Sequence, residues 1–130
     1  MFFNNNGKDI TFQFFFEEQF VSSIESFITE KPSSFTLESI EPSVICSITK
    51  KDFQKTISDS PIIKQQVEDL FFQRLVSYQK LFLSQIRDSP EKRYTELLQE
   101  NPELLLRIPQ HYIASFLGIT SVSLSRIRNR

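Results

Sequence analysis

The chain has 130 residues, of which 39% are hydrophobic and 24% charged, with a net charge of −1; such a chain folds, as one compact domain or two small ones, and is not disordered. No apolar run approaches the roughly 20 residues needed to cross a bilayer, and the start Met1-Phe2-Phe3-Asn4 has neither the positive nor the apolar stretch of a signal peptide. A lone cysteine, Cys46, closes no internal disulfide, so a cytoplasmic protein without a membrane partner is expected.

In chain order, residues 1–48 read as β-structure. Asn4-Asn5-Asn6-Gly7 is a hairpin turn. After it Ile10, Phe12, Phe14 and Phe16 alternate with Thr11, Gln13 and Phe15, the period of a strand. Further strands are expected near 35–40 and 43–48, with Pro42 between them. Thr49, with Asp52 three residues later, opens a short helix as a weak capping box. Ser60-Pro61 then supplies an N-cap and a first helical residue. No Gly or Pro follows until Pro90, so this helix can run from 61 to 87, roughly 40 Å. At about 100° per residue, Ile63, Val67, Leu70, Phe71, Leu75, Tyr78, Leu81, Phe82 and Ile86 fill one broad face. Phe72, Val76 and Leu83 widen it to roughly 240°, well beyond the ~100° stripe of a surface helix. Such a helix needs partners on two sides: the β-structure, and the same helix of a second subunit. Val67, Phe71, Leu75, Tyr78 and Phe82 are the expected dimerisation residues. A central helix buried within one domain is the alternative, and a chain this short offers little to surround it. Ser89-Pro90-Glu91 and Asn101-Pro102-Glu103 open two more helices.

The net charge hides an asymmetry. Residues 104–130 contain Arg107, Arg126, Arg128 and Arg130 and no acid, a formal +4 that leaves −5 on residues 1–103 against the total of −1. A basic end on an acidic body is the footprint of a nucleic-acid-binding unit, although a solvated basic tail has the same charge. Residues 110–128, QHYIASFLGITSVSLSRIR, read as two helices joined by a tight turn. Ile113 and Leu117 face inward, and Ala114 is small where the second helix crosses. Gly118 takes the turn, where positive φ is often needed. Ile119 fills the corner and Thr120 caps the second helix. Leu124 and Ile127 hold that helix to the core. Its open face shows Ser121, Val122, Ser125, Arg126 and Arg128 and no carboxylate, which suits a major groove where Arg pairs with guanine. Arg126 is the expected base-reading residue. Ser121 and Val122 are candidates for a hydroxyl and a thymine-methyl contact, and Thr120 and Ser125 belong to the same surface. Arg128 and Arg130 are the expected phosphate partners. Gln110 and His111 open the first helix and reach a phosphate with help from backbone N–H groups. The same small–Gly–apolar spacing also occurs in αα-corners of other helical domains.

Residues 89–130 resemble the C-terminal domain of the Crp/Fnr family of bacterial transcription regulators, through PELLLRIPQHYIASFLGITSVSLSRIR at 102–128. Residues 7–57 resemble the second half of that family's cyclic-nucleotide-binding β-roll, and the helix from Pro61 its dimerisation helix. The resemblance implies an α+β protein in three parts. These are a β-roll sensor over 1–58 lacking the N-terminal part of the roll, a dimerisation helix over 59–88, and a winged-helix-like helix-turn-helix domain over 89–130. It further implies a homodimer on double-stranded DNA, contact with RNA polymerase, and a small-molecule effector of unspecified chemistry.

The departures narrow this. Cyclic-AMP-binding members hold the ribose and phosphate with a Gly-Glu pair and a later Arg, where this chain has Ser22, Ser23 and Ser33. No cation is left for the phosphate and no acid for the ribose, so cyclic AMP is not expected to bind. One Cys and one His suit neither an iron–sulfur cluster nor zinc, and no cofactor or metal is expected. The family's Arg-Glu-x-x-x-Arg becomes Ser121-Val122-x-x-x-Arg126, which predicts a different operator. The β-hairpin that many members carry after the recognition helix is missing. An enzyme lacks support, since there is no phosphate loop and no Ser/His/Asp or Cys/His arrangement. The competing reading is a protein-interaction module, or a truncated regulator fragment without DNA-binding activity.

Overall fold

The computed structural model describes residues 1–129; Arg130 lies outside them. Two antiparallel strands, β1 (Phe2–Asn5) and β2 (Lys8–Thr11), precede the helices α1 (Ile24–Thr29), α2 (Lys50–Asp59), α3 (Pro61–Arg87), α4 (Pro90–Glu100), α5 (Leu104–Arg107), α6 (Gln110–Phe116) and α7 (Ser121–Arg128). The protein is therefore α+β, as its sequence suggests. Among the described residues no helix is long and apolar enough to cross a membrane.

The hairpin forms where the turn residues place it. Asn5 pairs with Lys8, so Asn6-Gly7 is the loop, and both residues have positive φ, 52° and 84°. That mirror-image turn matches the twist of the strands. The Asn4 side chain fastens it, accepting from the Gly7 N–H at 3.0 Å and donating to the Asp9 carboxylate at 2.8 Å.

The strand expected over 10–16 stops early. The ladder ends at Thr11, after which Phe12 N–H donates to the Met1 carbonyl at 3.1 Å and the Met1 ammonium to the Gln13 carbonyl at 2.7 Å. Phe14 and Phe16 then pack on the helical core. Phe12 instead meets Phe3 and Phe35, at ring-centroid distances of 6.2 and 5.2 Å. Period two does not sort burial along this segment: Thr11 is buried, and Gln13 and Phe15 are half-buried like Phe12, Phe14 and Phe16, because the backbone leaves the ladder after Thr11. The strands expected near 35–40 and 43–48 are likewise not formed. Thr36 makes a single bridge to Phe2, and Val44 and Ile45 are 98% and 78% exposed. The stretch read as all-β contains a helix, α1. Ser23 caps it, accepting from the Ser26 N–H at 3.2 Å, and Glu30 ends it with a φ of 59°.

The chain divides into two units, Met1–Pro42 with Ser89–Arg130, and Ser43–Asp88. This division differs from the three parts read in the sequence. The first segment shares its core with the C-terminal helices, and a boundary at 58–59 falls inside α2. The second unit contains α2 and α3. Thr49 caps α2, accepting from the Asp52 N–H at 3.1 Å. Ser60 closes α2 and also caps α3, accepting from the Ile63 N–H at 3.4 Å. The helix α3 has the 27 residues its boundary signals predict. None of them is buried, and Phe71, Leu75 and Phe82 are 44%, 62% and 66% exposed, with Val67 and Tyr78 half-buried. Phe72, Val76, Leu83 and Ile86 are exposed as well.

The core of the first unit is Tyr94 of α4, Leu104 of α5, Ile108, Ile113 and Ala114 of α6, Leu117, and Leu124 of α7. Ser89 and Pro90 start α4 as their order predicts, with the Lys92 N–H donating to Ser89 Oγ at 3.3 Å. Leu97, Leu98, Leu105, Phe116, Ile119 and Ile127 close around this core.

Candidate functional site

The last two helices are set by the turn between them. α6 ends in a Schellman arrangement, in which the Ile119 N–H donates to the Ala114 carbonyl and the Gly118 N–H to the Ser115 carbonyl, each at 3.0 Å. That closure needs a left-handed residue at Gly118, and its φ is 68°. Arg93 of α4 braces the turn by donating to the Leu117 carbonyl at 2.6 Å. A Cβ on Gly118 would meet nothing within 4 Å, so its φ alone sets the cost of a side chain there. Gly118→Ala is expected to lower stability by about 1–2 kcal/mol, read from the urea midpoint. Gly118→Asn should cost less, and equal costs would contradict this account of the turn.

Thr120 starts α7 as a cap, accepting from the Ser123 N–H at 3.1 Å. Leu124 is fully buried and Ile127 half-buried, which anchors one side of α7. At about 100° per residue, the remaining arc carries Ser121, Val122, Ser125, Arg126 and Arg128. All five are exposed, Val122 at 62%. No acidic residue lies between 104 and 129. Gln110 and His111 occupy the exposed first turn of α6, at its other end from the Gly118 turn, and the His111 ring lies 4.1 Å from that of Tyr112. Arg130, assigned to the same surface from the sequence, lies outside the described residues.

The N-terminal segment is fastened onto these helices by contacts that sequence reading did not find. Ser115 of α6 accepts from the Thr11 N–H at 2.9 Å and donates to the Asp9 carbonyl at 3.1 Å, so one hydroxyl completes the edge of β2. Phe14 stacks obliquely on Phe116 with ring centroids 5.3 Å apart. Arg107 donates two hydrogen bonds to Glu17, at 2.9 and 2.6 Å, and also bonds to Glu41. Its guanidinium lies 5.5 Å from the centre of the Phe16 ring. One of the four cations that made the C-terminal stretch basic is thus occupied by acids from the other end of the chain. Only the excess of acids in residues 1–103 hinted at that.

The hydrogen bonds from Arg107 hold the Glu17 carboxyl at about 2, down from 4.5. A carboxylate whose pKa falls on folding adds stability that is whole above about 4.5 and is lost as the pH drops toward about 2. The urea midpoint should therefore fall across that window, modestly because the pair is exposed to solvent. Glu17→Gln should flatten that part of the profile, and an unchanged profile would contradict the assignment.

Comparison with protein-family models, with curated proteins and with solved structures gives no match for this chain.

Proposed function

We propose that the protein is a sequence-specific DNA-binding transcription regulator of the Crp/Fnr type, acting as a homodimer. In this reading α6 and α7 are a helix-turn-helix with α7 in the major groove. The apolar face of α3 is the dimer seam, and the N-terminal segment is the counterpart of a sensor, unsuited to cyclic AMP. One observation carries the proposal. α7 is held to the core by Leu124 and Ile127, and its opposite arc presents Ser121, Val122, Ser125, Arg126 and Arg128 to solvent, in a stretch whose sequence from 104 to 129 holds no acidic residue.

The residue types fit the groove. Small hydroxyls near the start of a helix let its backbone approach the bases, and an Arg on the second turn reaches guanine O6 and N7 with a two-pronged bond. Two further observations bear on the sensor. Ser23 is engaged as the cap of α1, and the Ser33 hydroxyl bonds the Phe35 backbone, donating to its carbonyl at 2.9 Å. Neither replaces a charged nucleotide ligand.

The test is binding of a labelled random-sequence duplex across a salt series. The proposal predicts affinity that falls with salt, by nearly one power of concentration per phosphate engaged. Retention that ignores salt, or no retention at low salt, would leave the protein-interaction reading in its place.

A further inference from the structure

Arg107 ends α5 three residues before Gln110, a span of at most about 11 Å. It therefore stands beside the edge that the DNA-binding reading assigns to phosphate. Its side chain is 30% exposed, whereas those of Glu17 and Glu41 are 69% and 46% exposed. The cluster lies at the surface and carries one more negative charge than a simple pair needs. Both acids come from the first 42 residues, the segment that docks on α6 through Ser115. A guanidinium fork binds carboxylate and phosphate in the same planar, two-pronged way. The oxygens of Glu17 and Glu41 thus occupy the positions that phosphate oxygens would take.

Resting on the DNA-binding reading above, we propose that Arg107 is a phosphate-binding residue of the same interface and that Glu17 and Glu41 hold it masked. The N-terminal segment then restrains DNA binding until something displaces it. Two features favour a mask over a plain staple. Exposed ion pairs hold weakly in water, so phosphate can compete for Arg107. The docking of the segment does not depend on the ion pairs alone, because Ser115, Phe14 and Phe16 also secure it.

The test is anisotropy of a short random-sequence duplex with five variants of the full chain. Glu17→Gln with Glu41→Gln should bind about eightfold tighter near 0.1 M salt, with a salt slope steeper by about one, the signature of one added phosphate partner. Arg107→Ala should bind like the unmodified chain, and adding both Glu substitutions to it should change nothing. Glu25→Gln with Glu38→Gln removes the same charge elsewhere on the segment and should leave the slope unaltered. Glu17→Gln alone should give an intermediate gain, and it serves if the double variant unfolds. No gain from releasing Arg107, or an equal gain in the Arg107→Ala background, would overturn the mask while leaving DNA binding intact. Failure of every protein, including the unmodified one, to hold DNA at low salt would instead remove the DNA-binding reading and the mask with it.

Discussion

Replacing Leu75 and Phe82 together by glutamate is expected to convert a homodimer into monomers. The two residues lie seven apart on α3, two turns along one face, and are 62% and 66% exposed. Fully burying such a side chain contributes about 1.5–3 kcal/mol. Two residues on each of two copies, each already about one-third covered, could therefore contribute about 4–8 kcal/mol to association, and a micromolar dimer, held by about 8 kcal/mol, would be monomeric at tens of micromolar after losing it. The substitutions add to that loss by placing four carboxylates in an apolar seam, where charge is costly to desolvate. They should leave the unit's own stability nearly unchanged, within about 0.5 kcal/mol, because the positions are already open to water. Sedimentation of both proteins at tens of micromolar decides the matter. An unmodified chain that is monomeric there would remove the main support for the α3 seam.

Arg126→Ala and Arg128→Ala are expected to fail differently. If Arg126 reads a guanine, its loss costs about 1–3 kcal/mol per half-site, and a dimer carries two of them. Preference should relax at one base pair in each half-site while random DNA is held nearly as before. Arg128 sits in the last turn of α7, close to the helix end at Asn129, where a phosphate is the natural partner. Arg128→Ala should weaken all sequences alike and lower the salt slope by about one for each phosphate that is no longer neutralised. Titrations of a preferred and a random duplex separate the two outcomes. A loss with Arg126→Ala that is the same on both duplexes would place Arg126 on the DNA backbone instead.

The sequence was most legible where local chemistry decides. Ser60-Pro61 and Ser89-Pro90 placed two helix starts, because a capping hydroxyl and a fixed φ act within four residues. Gly118 and Thr120 placed the turn before α7 for the same reason. It was least legible in the first 48 residues. The alternating phenylalanines there signalled an apolar segment but not its burial: Phe14 and Phe16 are half-buried against the C-terminal helices, and the buried residue is Thr11, at the end of the ladder. The docking through Ser115 joins positions more than 100 apart. A serine on the outer face of a short helix carries no signal for such a contact. Arg107 misled in the opposite way. Counted by charge it belonged to the basic surface, but its fork is filled by Glu17 and Glu41, which no helical or strand periodicity brings near it.

Whether α7 reads DNA within a two-fold dimer is tested most directly by selection of bound sequences from a pool of random duplexes, using the full chain. The expected result is an enriched motif with two-fold symmetry, its half-sites centred one helical turn apart, about 10 base pairs or 34 Å. A pool that enriches no motif, or enriches one without symmetry at any spacing, would contradict it.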